Sequence, residues 1–288
     1  MVRGYTLCSV LAVTLVWGPY ASHAAIPGSD AESGPASPVE RPSEITAAAV
    51  DELLELSGLK ERLVTLAAGL RAQLHHPGMT EQEHATVDRV VARYLGPEML
   101  YARTRLAFGS AVNSSTVAAA LAWYRSPLGR RIVAADLDVL ADGGRPVTMG
   151  QPSAERLPLI ERLDEAGGAS EAALDITMAL VRSLARAADW ILPVHARLGP
   201  GRLEQRITLT RFAAFPEIRR AYLVNMLVAY RGLDDDELAA YARWVESSAG
   251  RWFVEAMNRA VVDAVGMAAE LAAVELVTLL PQTVGDSR

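Results

Sequence analysis

The side chains that could do chemistry in this chain fall into two groups. One is a histidine and carboxylate cluster, and the other is a pattern written twice. His75 and His76 lie close in sequence to Glu81, Glu83, His84 and Asp88. Imidazole and carboxylate are the ligand types of a zinc site, and the four-residue spacing of His84 and Asp88 puts both on one helix face. The H-E-x-x-H order of a zinc hydrolase is absent, however. Thr80-Glu81-Gln82-Glu83 reads as a capping box that already engages Glu83, and His75-His76-Pro77-Gly78 reads as a polar turn between helices. The expectation is solvated loop histidines; a metal-dependent hydrolase is the alternative.

The second group is Trp123-Tyr124-Arg125-Ser126-Pro127-Leu128-Gly129-Arg130, matched by Trp244-Val245-Glu246-Ser247-Ser248-Ala249-Gly250-Arg251 at one offset of 121 residues. Ser126-Pro127 has the form of an N-cap followed by proline at the first helical position, where the missing N–H costs nothing. One helix ends there and another begins. Gly129, in the first turn of the new helix, leaves room for another helix to come close. The amides and dipole of the new helix, beside Arg130, Arg131 or Arg251, could also hold a carboxylate or phosphate. Trp123, Ser126, Gly129, Arg130, Trp244, Ser247, Gly250 and Arg251 are therefore candidates either for a packed elbow repeated in each half or for a small-anion site.

Other signatures are weaker. Asp234-Asp235-Asp236-Glu237 lacks the alternating ligands and glycine of a calcium loop and has the spacing of a helix-capping box. No G-x-S-x-G, G-x-G-x-x-G or P-loop occurs, and Cys8 is the only cysteine. No catalytic residue, metal ligand or cofactor is assigned on these grounds.

The elements that must position these residues read as helices. Val50, Leu53, Leu54, Leu63, Leu66 and Leu70 recur near a 3.6-residue period over 50–74. A helix starts at Thr80 and runs to about Leu95, another opens at Pro97, and Val117, Leu121, Tyr124, Leu128 and Ile132 continue the spacing through the first pattern. No stretch alternates as a strand, so the fold class is all-α. The second half repeats the order: Tyr101 meets Tyr222 and Leu106 meets Leu227 at the offset of 121, and Leu54 to Gly58 resembles Leu163 to Gly167 at 109. These offsets make the second half longer by twelve residues, placed around Pro193 to Gly201. Val254 to Leu280 is apolar but interrupted by Glu255, Asp263, Glu270 and Glu275, as suits a buried core or interface helix rather than a membrane span.

Arg3, the apolar run Leu7 to Trp17 and the small residues ending Ser22-His23-Ala24 have the form of a cleaved secretory signal. That run is shorter than the roughly 20 residues of a membrane helix. Cys8 lacks the small preceding residue of a lipobox. The expected organisation is a signal peptide over 1–24, a flexible linker over 25–45, helical unit 1 over 46–141, a linker over 142–158 and helical unit 2 over 159–284: two tandem related bundles in an exported, periplasmic chain. Cleavage removes Arg3 and takes the net charge from −6 to −7, which disfavours nucleic acid and anionic lipid as partners of the chain as a whole. Without Cys8 the chain enters an oxidising compartment with no disulfide, so its core alone must stabilise it.

An aromatic pair followed by Ser-Pro-x-Gly-Arg at the end of a helical unit resembles the bacterial periplasmic family known as domain of unknown function 2059. The likeness covers about Val50 to Ala135 and, more weakly, Leu163 to Ala256. Glu237 fits the acidic position that usually precedes the motif helix, whereas Thr116 occupies it in the first copy; Val245 and Ser248 replace the family's Tyr and Pro in the second. The resemblance implies an all-helical envelope protein and brings no catalytic residues. The expected function is non-catalytic interaction or scaffolding, through apolar helix faces that bind a protein or a second copy. The alternatives are an envelope hydrolase or a small anionic ligand binder at the elbows.

Overall fold

The computed structural model describes residues 47–112, 114–141 and 153–279; the expected signal peptide and first linker lie outside them, as do 142–152 of the second linker. The described residues are mostly helical, without strands. In chain order the helices are α1 (Ala47–Leu56), α2 (Leu59–Leu74), α3 (Glu81–Tyr94), α4 (Pro97–Gly109), α5 (Ser114–Arg125), α6 (Pro127–Ala141), α7 (Arg156–Gly167), α8 (Ala169–Ile191), α9 (Gly199–Ala229), α10 (Asp235–Val245) and α11 (Ser248–Leu279). Single 3-10 turns at Val194–Ala196 and Tyr230–Gly232 flank α9.

Local chemistry accounts for most of the boundaries. Thr80 accepts from the Glu83 amide while the Glu83 carboxylate accepts from the Thr80 amide, and Asp234 and Glu237 do the same at the start of α10. Both capping boxes fall where the sequence places them. The expected helix over 50–74 is instead two helices, because Gly58 adopts φ 69°, the left-handed conformation that turns the chain between α1 and α2. Gly168, at φ 58°, does the same between α7 and α8. The two left-handed glycines lie 110 residues apart, against the offset of 109 that pairs Gly58 with Gly167 in the sequence. From the left-handed glycine to its tryptophan the second half is longer by eleven residues, 76 against 65. Much of the excess is helix, since α8 has 23 residues and α2 has 16.

The boundary at 142–158 divides the chain in sequence but does not divide the core. α11 lies along α8 and also along α3, α4 and α5, so Phe253, Val261, Val265 and Leu276 share one apolar cluster with Leu53, Leu63, Leu66 and Phe108. α6 runs the other way: Ile132 and Val139 join Ile160, Leu163, Met226, Tyr230, Leu238 and Val245. Each elbow thus delivers its outgoing helix to a core that the other half helps to build. The buried alanines of α11, among them Ala260, Ala264, Ala268 and Ala272, have no side chain beyond Cβ, which allows neighbouring helices to pack close to its backbone. The apolar segment starting at Val254 is accordingly a core helix. Among the described residues, no helix is long and apolar enough to cross a membrane.

Candidate functional site: the paired elbows and the polar core beside them

The two elbows are built by the same bonds. In the first, the Ser126 amide donates to the Trp123 carbonyl at 2.9 Å, Ser126 Oγ accepts from the Gly129 amide at 3.0 Å, and the Arg130 amide donates to the Ser126 carbonyl at 3.1 Å. In the second, the corresponding distances for Ser247, Gly250 and Arg251 are 2.9, 3.1 and 2.9 Å. The serine is thus an N-cap at both places. The glycines let another helix come close, and that helix is the preceding one. A Cβ on Gly129 would lie 2.2 Å from the Trp123 carbonyl oxygen, and one on Gly250 would lie 2.1 Å from that of Trp244. The close neighbour is the end of the preceding helix, folded back by the elbow itself.

Arg130 and Arg251 are exposed, and each guanidinium bonds the end of its preceding helix: Arg130 donates to the Arg125 carbonyl and Arg251 to the Glu246 carbonyl. A cation at a helix C-terminus is favoured by the helix dipole. The elbows also meet. Trp123 and Trp244 stack with ring centroids 4.7 Å apart and an interplanar angle of 6°, Tyr241 continues the stack, and Tyr124 meets the Trp244 ring edge-on.

Beside this stack lies a cavity of about 30 Å³, lined among others by Ser57, Arg62, Trp123, Asp136, Tyr241 and Met257. Its polar centre is an ion pair: Arg62 Nη2 lies 2.6 Å from Asp136 Oδ2, with side chains 9% and 1% exposed. Arg62 Nε donates to the Ser57 carbonyl, where α1 ends. Burial works against the Arg62 charge, but the Asp136 carboxylate more than restores it and holds the guanidinium above its ordinary range. Burial also pushes the Asp136 carboxyl up, against the lowering by Arg62. At 2.6 Å from a guanidinium that stays charged, Asp136 is the ion-pair partner. Asp136 Oδ1 and the Tyr230 hydroxyl are buried close to each other, and neither makes a well-aligned hydrogen bond among the described residues. Burial, then the Asp136 charge, pushes the Tyr230 hydroxyl well above its ordinary value; burial and neighbouring Tyr241 do so for Tyr124. A cavity of this size takes about one water-sized group, and Arg62 already neutralises its carboxylate.

The histidine cluster forms a separate tie between α2 and α3. Arg71 clamps Asp88 through two bonds of 2.6 and 2.7 Å, His75 Nε2 lies 2.8 Å from the same carboxylate, and His84 Nδ1 lies 2.8 Å from His75 Nδ1. The Arg71 hydrogen bond holds the Asp88 carboxyl below its usual range. His75 is thus half-buried and bonded rather than a solvated loop residue, while His76 is exposed and accepts from the Gly78 amide. Among the described residues, no group of three ligating side chains is placed to hold a metal.

The chain matches no family model, no curated protein and no solved structure.

The structure therefore brings the eight elbow residues together in two matching joints that share one aromatic contact. Arg62, Asp136 and Tyr230 belong to no recognisable sequence motif. Asp136 stands between Ile132 and Val139 on the inward face of α6, and Arg62 beside Leu59, Leu63 and Leu66 on α2. Charges set in apolar stripes are the signal that points to a buried pair.

Proposed function

We propose that this chain is an exported, periplasmic, non-catalytic interaction protein built by internal duplication, of the kind suggested by its motif resemblance to domain of unknown function 2059. Duplication is supported by the elbows, whose bonds repeat at an offset of 121, and by the left-handed glycines at an offset of 110. The interaction reading rests on one observation. α11, whose inner face is core, exposes Met267, Leu271 and Val274 at 49%, 46% and 58% in a single i, i+4, i+7 stripe. Such a stripe suits a protein partner that lays a helix or groove against it. The elbow serines and arginines are used in capping their own helices, and His75 and His84 in joining α2 to α3, which turns attention to the surfaces.

The test is capture from envelope extract by the chain and by its Leu271→Asp, Val274→Asp variant, with light scattering to detect self-association. The expected result is a partner or a dimer retained by the wild type, lost in the variant, at an unchanged melting temperature. A wild type that captures nothing and stays monomeric, or a variant that captures as well as the wild type, would sink the reading.

A further inference from the structure

The hairpin that joins α8 to α9 has three properties that together fit an anionic lipid surface. Its tip exposes large apolar side chains, with Trp190 at 70%, Leu192 at 36% and Val194 at 80%. On the outward side of α9, Leu209 and Phe212 are exposed at 64% and 84%, and Arg202 and Arg206 are exposed a turn or two before them. Bulky apolar groups at the end of a hairpin, led by a tryptophan, match the boundary between water and acyl chains, where an indole keeps its N–H wet and its rings dry.

The charge around the tip reverses that of the whole chain. Residues 186–206 hold Arg186, Arg197, Arg202 and Arg206 against Asp189 and Glu204, in a chain of net charge −6. Both acids are engaged. Asp189 accepts from the Leu198 and Gly199 amides at 2.6 and 3.1 Å, and Glu204 pairs with Arg182 and Arg186. Glu204 offsets Arg186, whereas Arg197 and Arg202 bond only neutral backbone carbonyls and keep their charge, so the outward-facing charge is basic.

Several backbone groups of the tip are satisfied from within, which lowers the cost of entering a membrane interface. Arg197 donates to the Trp190 and Leu192 carbonyls at 2.7 and 2.8 Å, Asp189 takes the two amides named above, and the Ala196 amide donates to the Pro193 carbonyl at 2.8 Å.

We infer that the α8–α9 hairpin is a peripheral membrane contact, with Trp190, Leu192 and Val194 entering the interface of an anionic bilayer and Arg197, Arg202 and Arg206 meeting its headgroups. The test uses the full chain and vesicles of phosphatidylcholine with roughly one quarter phosphatidylglycerol, acyl chains brominated, so that any tryptophan reaching the acyl boundary is quenched. Trp190 is read as the difference between wild type and Trp190→Phe, which removes the contribution of the other tryptophans. The expected result is quenching of the Trp190 emission with phosphatidylglycerol present, weakened about tenfold in vesicle concentration by Val194→Asp and reduced by salt. Circular dichroism should show both variants folded, since the substituted side chains are exposed. Four results would overturn the inference: Trp190 emission unchanged by vesicles, equal quenching by phosphatidylcholine alone, quenching unaffected by Val194→Asp, or shielding of Trp190 by a captured protein while vesicles leave it untouched.

Discussion

A methyl group placed on Gly129 or Gly250 would sit far inside van der Waals contact with a backbone carbonyl oxygen, at 2.2 or 2.1 Å. Neither the carbonyl nor the capped turn can move without opening the elbow. Gly129→Ala and Gly250→Ala should each therefore cost about 3 kcal/mol, the upper end of overpacking penalties. Gly109→Ala, with nothing within 4 Å of its Cβ, should be neutral or gain about 0.5 kcal/mol. Urea denaturation of the three variants measures this, and equal costs at all three positions would show that the contact with the preceding carbonyl is not what selects glycine. At this scale the sequence was legible where the reason is local. The Ser126 cap could be read from Ser-Pro, because capping involves only the next three residues. The stacking of Trp123 on Trp244 could not, because it depends on how the halves meet.

Helix starts were readable because Thr80, Pro97 and Asp234 carry their own stop and start chemistry. The break at Gly58 was not, since an apolar stripe continues on both sides of it and only the backbone dihedral distinguishes a bend from a continuous helix. Contacts between helices were hidden for a related reason: an amphipathic pattern says which face is buried and leaves open which helix covers it. The tie between α3 and α11 is an example. Glu275 accepts from the Tyr94 hydroxyl at 2.6 Å and from Arg93 at 3.1 Å, and the Tyr94 hydrogen bond, followed by Arg93, holds its carboxyl below the usual value. A carboxyl lowered on folding contributes stability above its unfolded value and loses that contribution as pH falls through the folded one. Glu275→Gln should therefore lower the urea midpoint at neutral pH and lose less of it on acidification from about pH 5 to about pH 3 than the wild type does. Parallel acid limbs for the two proteins would show that the Tyr94–Arg93–Glu275 contact carries no linked stability.

The crossing of α6 and α11 decides how the whole molecule unfolds. If each half kept its own core, a lesion in one would melt that half and spare the other, and two transitions would appear. The clusters are instead shared: α11 completes the core around Leu53 and Phe108, and α6 the one around Leu163 and Tyr230. Arg62 and Asp136 stand where these cores meet, with the Trp123–Trp244 stack beside them. Arg62→Met would leave the Asp136 carboxylate buried without its cation, which costs about 3–5 kcal/mol, or a fall in melting temperature on the order of 10 °C for a chain of this length. Because the cores share helices, that fall should move a single transition, and far-UV circular dichroism and tryptophan emission should follow it together. A second step holding its wild-type midpoint in the variant would mean that the halves fold independently. On the proposed duplication, the counterparts of Arg62 and Asp136, 110 and 121 residues on, are Ala172 and Met257, both buried and apolar. Replacing both members of the pair, Arg62→Met with Asp136→Met, should accordingly recover most of the loss, since a well-packed apolar pair can match a buried ionic one in stability. The cost of each single change would then reflect the stranded charge rather than a net gain from the ion pair.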